Sequence, residues 1–359
     1  MTIEFSSRLR DIPVYPVADG YALPETVAQM ASNESPDRPI PEVVAAIEGT
    51  LSGLNRYPDP ASSQLRARLA DRYGIPATRI AIGNGSCDIL LAAGQALLEP
   101  GAEVVFARPS FSVYPHLAAA TGATPITVPL DEQDRLDLEA MAAEVTAATR
   151  LVLVCNPNNP TSTAVPLRDI EALLAAVPRH VCVIVDEAYC EFNLLQDPGD
   201  SVDLLERHVN LVLLRTFSKV HGLCGLRVGF GLCGSEDFPR ATDQVRQPFF
   251  CNAAAQAAAV EALRHEDEVE RRVERAVAGR LTIGEGLGRL GLPVAESQAN
   301  FIWAGLGEDV HEGDVVRGLA ERGVLVRAGR SLGREGFVRV TCGTPAENDR
   351  FLAALRELV

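Results

Sequence analysis

Short, nearly unbroken runs of Val, Ile, Leu and Ala recur from about Arg79 to Phe230, and between them lie segments whose apolar residues return every three or four positions. "RIAIG" leads into "CDILLAAGQALLE", "AEVVFAR" into "YPHLAAATG" and "RLVLVC" into "LRDIEALLAAV"; "HVCVIVD" and "NLVLLR" follow. A strand that is apolar on both faces belongs in a sheet covered on both sides, and the amphipathic segments supply the cover. The pattern predicts an α/β fold with a mostly parallel sheet sandwiched by helices. Ligands of such sheets bind outside the carboxyl ends of the strands, so the polar residues just after each apolar run are the candidates for chemistry.

Beyond residue 250 the texture changes. "NAAAQAAAVEALRHEDEVERRVERAVAGRLTIGEGLGRLG" reads as long helical material ended by Gly291 and Pro293. A strand ("NFIWAGL"), a helix ("DVVRGLAERG"), two strands ("VLVRAG", "FVRVTCG") and a terminal helix then make a compact α+β unit. The expected division is an arm and entry segment over 1–39, packing with the small unit or a partner subunit, a large ligand-binding domain over 40–250, and a small C-terminal domain over 251–359 that includes the connecting helix. With 359 residues and 47% hydrophobic content, the chain can fill two cores.

A formal charge of −15 repels nucleic acid and anionic membranes at long range, so an anionic ligand has to be held by local donors. The apolar runs are short and the N-terminus lacks a signal-like stretch, which points to the cytoplasm. The eight cysteines form no CxxC pair and no His stands at zinc-ligand spacing, so no metal is expected and the thiols read as reduced.

The residues that follow the strands are chemical. Asp186 and Tyr189 come after "VCVIVD", Thr216, Ser218 and Lys219 come after "LVLLR", and Asn159 sits in a turn with Pro157 and Pro160. "GNGS" opens a helix at Ser86 and Cys87, where free N–H groups form a ready anion site. A lysine, a carboxylate, a phenol, an amide and an anion cradle on one rim are hard to explain as packing. "GNGSCD" is not G-x-G-x-x-G, which argues against a dinucleotide site.

"NPNNPTS", "VDEAY", "TFSKVHGLCGLRVG" and "VRVTCGTPAEND" resemble, in order, the signature segments of fold-type I pyridoxal-phosphate aminotransferases, in the histidinol-phosphate aminotransferase branch. The resemblance spans nearly the whole chain and implies a seven-stranded, mostly parallel sheet in the large domain. It implies that Lys219 joins pyridoxal phosphate covalently and later shuttles a proton, that Asp186 faces the pyridine nitrogen, and that Tyr189 and Asn159 bond the ring's phenolic oxygen. The cofactor phosphate would rest on Ser86, Cys87, Thr216, Ser218 and Arg227, with Phe111 stacked on the ring and Gly222, Gly225 and Gly229 admitting the cofactor close to the backbone. Tyr57 would reach the cofactor phosphate of a neighbouring subunit, which implies a homodimer with shared sites.

For the substrate, the resemblance implies Arg339 on a carboxylate, Arg327, with Arg330 nearby, on a phosphate, and Tyr21 and Asn33 in the pocket. The leading expectation is transfer between L-histidinol phosphate and 2-oxoglutarate. The runner-up is an aromatic amino-acid aminotransferase, because relatives of the branch accept phenylalanine, tyrosine or their oxo acids with much the same pocket, and "ASNES" and "RQPFFCN" depart from the branch's usual segments; an amino-acid phosphate decarboxylase stands third. Two more departures are Ser162, where the family carries glycine, and His221, where it carries an aromatic. His221 reads either as a second ionisable group near Lys219 or as a loop residue filling an aromatic's space.

Overall fold

The computed structural model describes residues 3–5, 7–12, 26–307 and 309–359. After a two-residue strand, β1 (Ala28–Gln29), seven strands build the main sheet: β2 (Ile80–Gly83), β3 (Glu103–Arg108), β4 (Thr124–Pro129), β5 (Thr149–Cys155), β6 (Cys182–Asp186), β7 (Leu211–Thr216) and β8 (Gly229–Cys233). Their order is β2-β8-β7-β6-β5-β3-β4, and every neighbouring pair is parallel except those made by β8, which runs antiparallel to β2 and β7.

Alternate residues of these strands feed two cores. Val105, Val152, Val183 and Leu213 point to one face, against α2 (Ser63–Tyr73), α6 (Leu167–Ala176) and α8 (Ala253–Ala262). Val104, Leu151, Ile184 and Val212 point to the other, against α3 (Ser86–Leu97) and α4 (Val113–Thr121). Fully burying one such side chain is worth about 1.5–3 kcal/mol. This two-sided burial is why the strands read as unbroken apolar runs.

The remaining helices are α1 (Pro41–Glu48), α5 (Leu138–Ala143), α7 (Asp237–Val245), α9 (Glu266–Arg289), α10 (Glu312–Glu321) and α11 (Pro345–Arg356). The helical stretch after residue 250 is two helices, not one. Asn252 caps α8 by accepting from Ala255 N at 2.8 Å, and α9 restarts at an acidic first turn, Glu266–Glu268, which suits the positive end of a helix. β9 (Phe301–Gly305), β11 (Arg327–Ala328) and β12 (Phe337–Thr341) form a three-stranded sheet in the order β11-β12-β9. The run "VLVRAG" is also split: β10 (Val324–Leu325) pairs with β1, and the chain changes partner at Val326 before β11 joins β12. A further core holds Ile283, Leu287, Ile302, Val340 and Phe351. Thr344 and Glu347 form a capping box on α11, with Pro345 in its first turn. Among the described residues no helix is long and apolar enough to cross a membrane.

Candidate active site

The parallel strands end together, and their ends open into a cavity of about 420 Å³. It is lined by Asn33, Ser86, Cys87, Phe111, Asn159, Asp186, Tyr189, Thr216, Ser218, Lys219, Arg227, Arg327 and Arg339. Thirteen of the residues singled out from the sequence therefore meet in one place. Tyr57 is not among them: it is 79% exposed and stacks on Phe249 with ring centroids 4.3 Å apart, so it gives nothing to the cavity of its own chain. Tyr21 lies outside the described residues.

One end of the cavity is built for an anion. β2 runs through Gly83–Gly85 into α3, whose first residue, Ser86, follows a glycine at φ +82° with no side-chain cap. The first N–H groups of the helix are thus left for a ligand. A Cβ on Gly85 would stand 2.5 Å from Arg227 Nη2, so the guanidinium lies directly over the helix start. Arg227 Nη1 donates to Cys224 O at 2.8 Å, while Thr216 Oγ1 donates to Ser218 Oγ at 2.9 Å on the facing wall.

The same cavity holds an acid. Asp186 ends β6, is 3% exposed, and accepts from Tyr114 Oη at 3.2 Å and from Ala188 N at 3.2 Å. Burial raises its carboxyl to about 6, although the Ala188 N–H, the Tyr114 hydroxyl and Lys219 pull the other way. A cationic ring nitrogen beside it would restore full ionisation. Tyr189 Oη accepts from Asn33 Nδ2 at 3.1 Å and from Asn159 Nδ2 at 3.4 Å, which leaves its own proton free to donate. Asn159 Oδ1 in turn accepts from Arg339 Nη1 at 2.6 Å, and Arg339 Nη2 donates to Ala31 O at 2.5 Å.

Lys219 follows β7 and lines the same cavity. Its Nζ donates to Ser32 O at 3.3 Å and lies 5.6 Å from the Tyr189 ring centroid. Burial first and Arg339 second lower the amine from 10.5 to about 8, against the opposing pull of Cys224, Glu34 and Cys87. Near neutral pH a usable fraction of the amine is unprotonated, as a nucleophile or base requires. Lys219 is also the only lysine among the 359 residues.

The family model for aminotransferase class I and II matches residues 25–355. This chain belongs to that family. The aminotransferase is 47% identical over 334 residues to the aromatic amino acid aminotransferase of Thermobifida fusca, covering 92% of this chain and 89% of that protein. It is 39% identical over 345 residues to histidinol-phosphate aminotransferase 2 of Ralstonia nicotianae, covering 96% and 92% respectively. A crystal structure of histidinol-phosphate aminotransferase from Sinorhizobium meliloti in complex with pyridoxal-5'-phosphate superposes with a TM-score of 0.89 at 28% identity, over 100% of this chain and 98% of that one.

Several sequence expectations are corrected by the geometry. Gly222 and Gly229 admit protein, not ligand: a Cβ on Gly222 would be 2.9 Å from Arg272 Nη1, and one on Gly229 would be 2.5 Å from Ser86 N. Gly225 does line the cavity. Arg330 is paired with Glu335 at the surface and does not join Arg327 on the cavity wall. His221 is not in the cavity lining; it tilts against Phe217 at 4.9 Å beside Ile40, Val43 and Ala262, and burial, with Arg72 and Arg272, lowers its imidazole to about 3. It fills space as a neutral ring. Ser162 has φ +62°, the left-handed region that explains the family's glycine, and its Oγ donates to Thr161 O at 2.5 Å.

Other contributors were missed. Tyr114, the donor to Asp186, looked like an ordinary helix residue in "SVYPHL"; only the fold brings α4 beneath β6. Phe111 meets the edge of Tyr114 at 5.7 Å and lines the cavity beside it. Glu187 and Arg215 form a buried ion pair at 2.8 Å one residue behind Asp186 and Thr216. That Lys219, singled out from its motif, is also the sole lysine could be read from the sequence by counting.

Proposed function

We propose that this aminotransferase binds pyridoxal phosphate in the cavity and exchanges an amino group between an aromatic amino acid and a 2-oxo acid such as 2-oxoglutarate. The observation that carries the reading is the placement of the sole lysine, its amine tuned to about 8, in one cavity with Asp186 and the Arg227-capped helix start. When bound, the cofactor supplies an electron-withdrawing ring that makes the substrate Cα–H acidic.

The chain's own residues do the rest. Ser86, Cys87, Thr216, Ser218 and Arg227 hold the phosphate through helix N–H groups, hydroxyls and a guanidinium. Asp186 would hold a cationic ring nitrogen by its charge, and Tyr189, whose hydroxyl is steered by Asn33 and Asn159, would offer its proton to a cofactor oxygen. Phe111, on the cavity wall, would supply an apolar surface for the cofactor ring. Lys219 would be the residue that bears the cofactor, and its amine, tuned to about 8, would be the base that takes the proton from the substrate Cα. Arg339 pairs with the substrate's α-carboxylate, which fixes the Cα–H toward Lys219. Arg327 stands opposite Arg339 across the β11–β12 pair and also lines the cavity, so it can receive the second carboxylate of glutamate.

The preference for an aromatic substrate rests on the 47% identity to a protein of that name, backed by apolar cavity walls at Phe111 and Leu332. Histidinol phosphate is the second reading, supported by the 0.89 TM-score neighbour and by Arg327, which could receive a phosphate. Initial rates with L-phenylalanine and with L-histidinol phosphate, each with 2-oxoglutarate, separate them: a much larger kcat/KM for phenylalanine is expected, and the reverse order would make the second reading correct. The proposal includes a cytoplasmic homodimer. The exposed Tyr57–Phe249 stack is available to a second subunit, and all eight cysteines are free thiols.

A further inference from the structure

Arg272 belongs to α9, lies outside the cavity lining, and is only 4% exposed. Its guanidinium reaches three places. Nη1 donates to Val220 O at 3.0 Å, Nη2 donates to Arg38 O at 3.0 Å, and Nε donates to Glu268 Oε1 at 2.6 Å. Asp37 Oδ2 lies 4.0 Å from Nε and pairs with Arg275. Val220 is the residue after Lys219, and Arg38 ends the segment that starts with the cavity residues Ala31, Ser32, Asn33 and Glu34.

That segment also holds Lys219 from the other side, because Ser32 O accepts from its Nζ. One planar fork therefore ties together the backbone next to the lysine and the strip of chain that carries the lysine's hydrogen-bond acceptor. The sequence makes room for it: Gly222 takes φ +69°, and a Cβ there would come within 2.9 Å of Nη1 and 3.2 Å of Asp37 O. A lysine at 272 has a single nitrogen and no planar fork, so it cannot reproduce the spread of donors that holds both carbonyls.

We propose that Arg272 is a positioning residue of this aminotransferase, fastening the Lys219 segment to residues 31–38 so that the amine is held at one place on the cavity wall. The inference rests on the reading of Lys219 as the lysine that bears the cofactor. Loosening the clamp lets water reach Nζ. The groups that face it, Arg339, Glu34, Cys87, Cys224 and Asp186, then act across a hydrated gap, and the amine drifts up from about 8 toward 10.5.

The test compares wild type with Arg272→Met, Arg272→Lys and Gly222→Ala, each loaded with pyridoxal phosphate. Cofactor absorbance is titrated with pH, and in the cofactor-free proteins the acylation rate of the single lysine is followed against pH by mass mapping, which separates it from the N-terminal amine. Arg272→Met should move the Lys219 titration up by about one unit and lower kcat roughly tenfold, with KM for the amino acid changed less because Arg339 is untouched. Arg272→Lys should recover part of both effects. A merely structural role would lower thermal stability while leaving the titration and kcat of all variants at wild-type values, and that result overturns the proposal. Should Arg272→Met fail to fold, the other two variants decide by the same criterion. A wild-type protein whose lysine carries no cofactor would instead overturn the reading on which this one rests.

Discussion

Tyr114 on α4 gives its hydroxyl proton to the carboxylate of Asp186 on β6 across 3.2 Å, inside a site where both side chains are buried. The phenol is thus an internal donor that favours the ionised acid, and its own ionisation is pushed well up by burial and by Asp186. Hydrogen bonds to charged groups contribute roughly 1.5–3 kcal/mol. Tyr114→Phe should therefore raise the dissociation constant for pyridoxal phosphate on the order of tenfold or more, measured by equilibrium dialysis above pH 7. An unchanged constant would make the contact idle.

Asp186 has a second, opposite signature in the cofactor-free protein. Its folded carboxyl, at about 6, lies above its ordinary value of 3.8, so the folded state holds the proton more tightly than the unfolded chain does. Its contribution to stability is complete below about 3.8 and is lost as pH rises through 6. Without cofactor, Asp186→Asn should be more stable than wild type at pH 8, by at most roughly 3 kcal/mol, with the gap closing below pH 4. Denaturant melts at the two pH values check it; a variant less stable at pH 8 would show that other charges set the balance.

Arg339 makes contacts on both sides of the substrate space, to Asn159 and to Ala31. Arg339→Met should cut kcat/KM for amino-acid substrates about a hundredfold, mostly through KM, while cofactor affinity changes little. Steady-state kinetics beside a cofactor titration separate the two; equal losses in both would move Arg339 from substrate to cofactor.

His221 supplies a control. Because its ring is neutral across the working range and outside the cavity lining, His221→Phe should leave the pH profile of Lys219 and the turnover rate at wild-type values. A displaced profile would return the histidine to the site.

The sheet was legible because burial on both faces writes a one-dimensional signal, as in "VCVIVD" and "NLVLLR", and the site was legible because its residues follow those runs directly. What was not legible depends on distant segments meeting. The Tyr114 contact joins positions 72 residues apart, and the Arg272 contact to Arg38 joins positions 234 apart; neither leaves a local periodicity. The same holds for "VLVRAG", whose split between two sheets is decided by the partners β1 and β12. The glycines were read as room for ligand because spacing alone cannot say which atoms come close.

The most direct test of the central claim uses the solitary lysine. The protein is loaded with pyridoxal phosphate, reduced with borohydride and digested, and the site of the added mass is mapped. One cofactor per chain, on the peptide that contains Lys219, is the expected result. No adduct, or an adduct confined to the N-terminal amine, would contradict it.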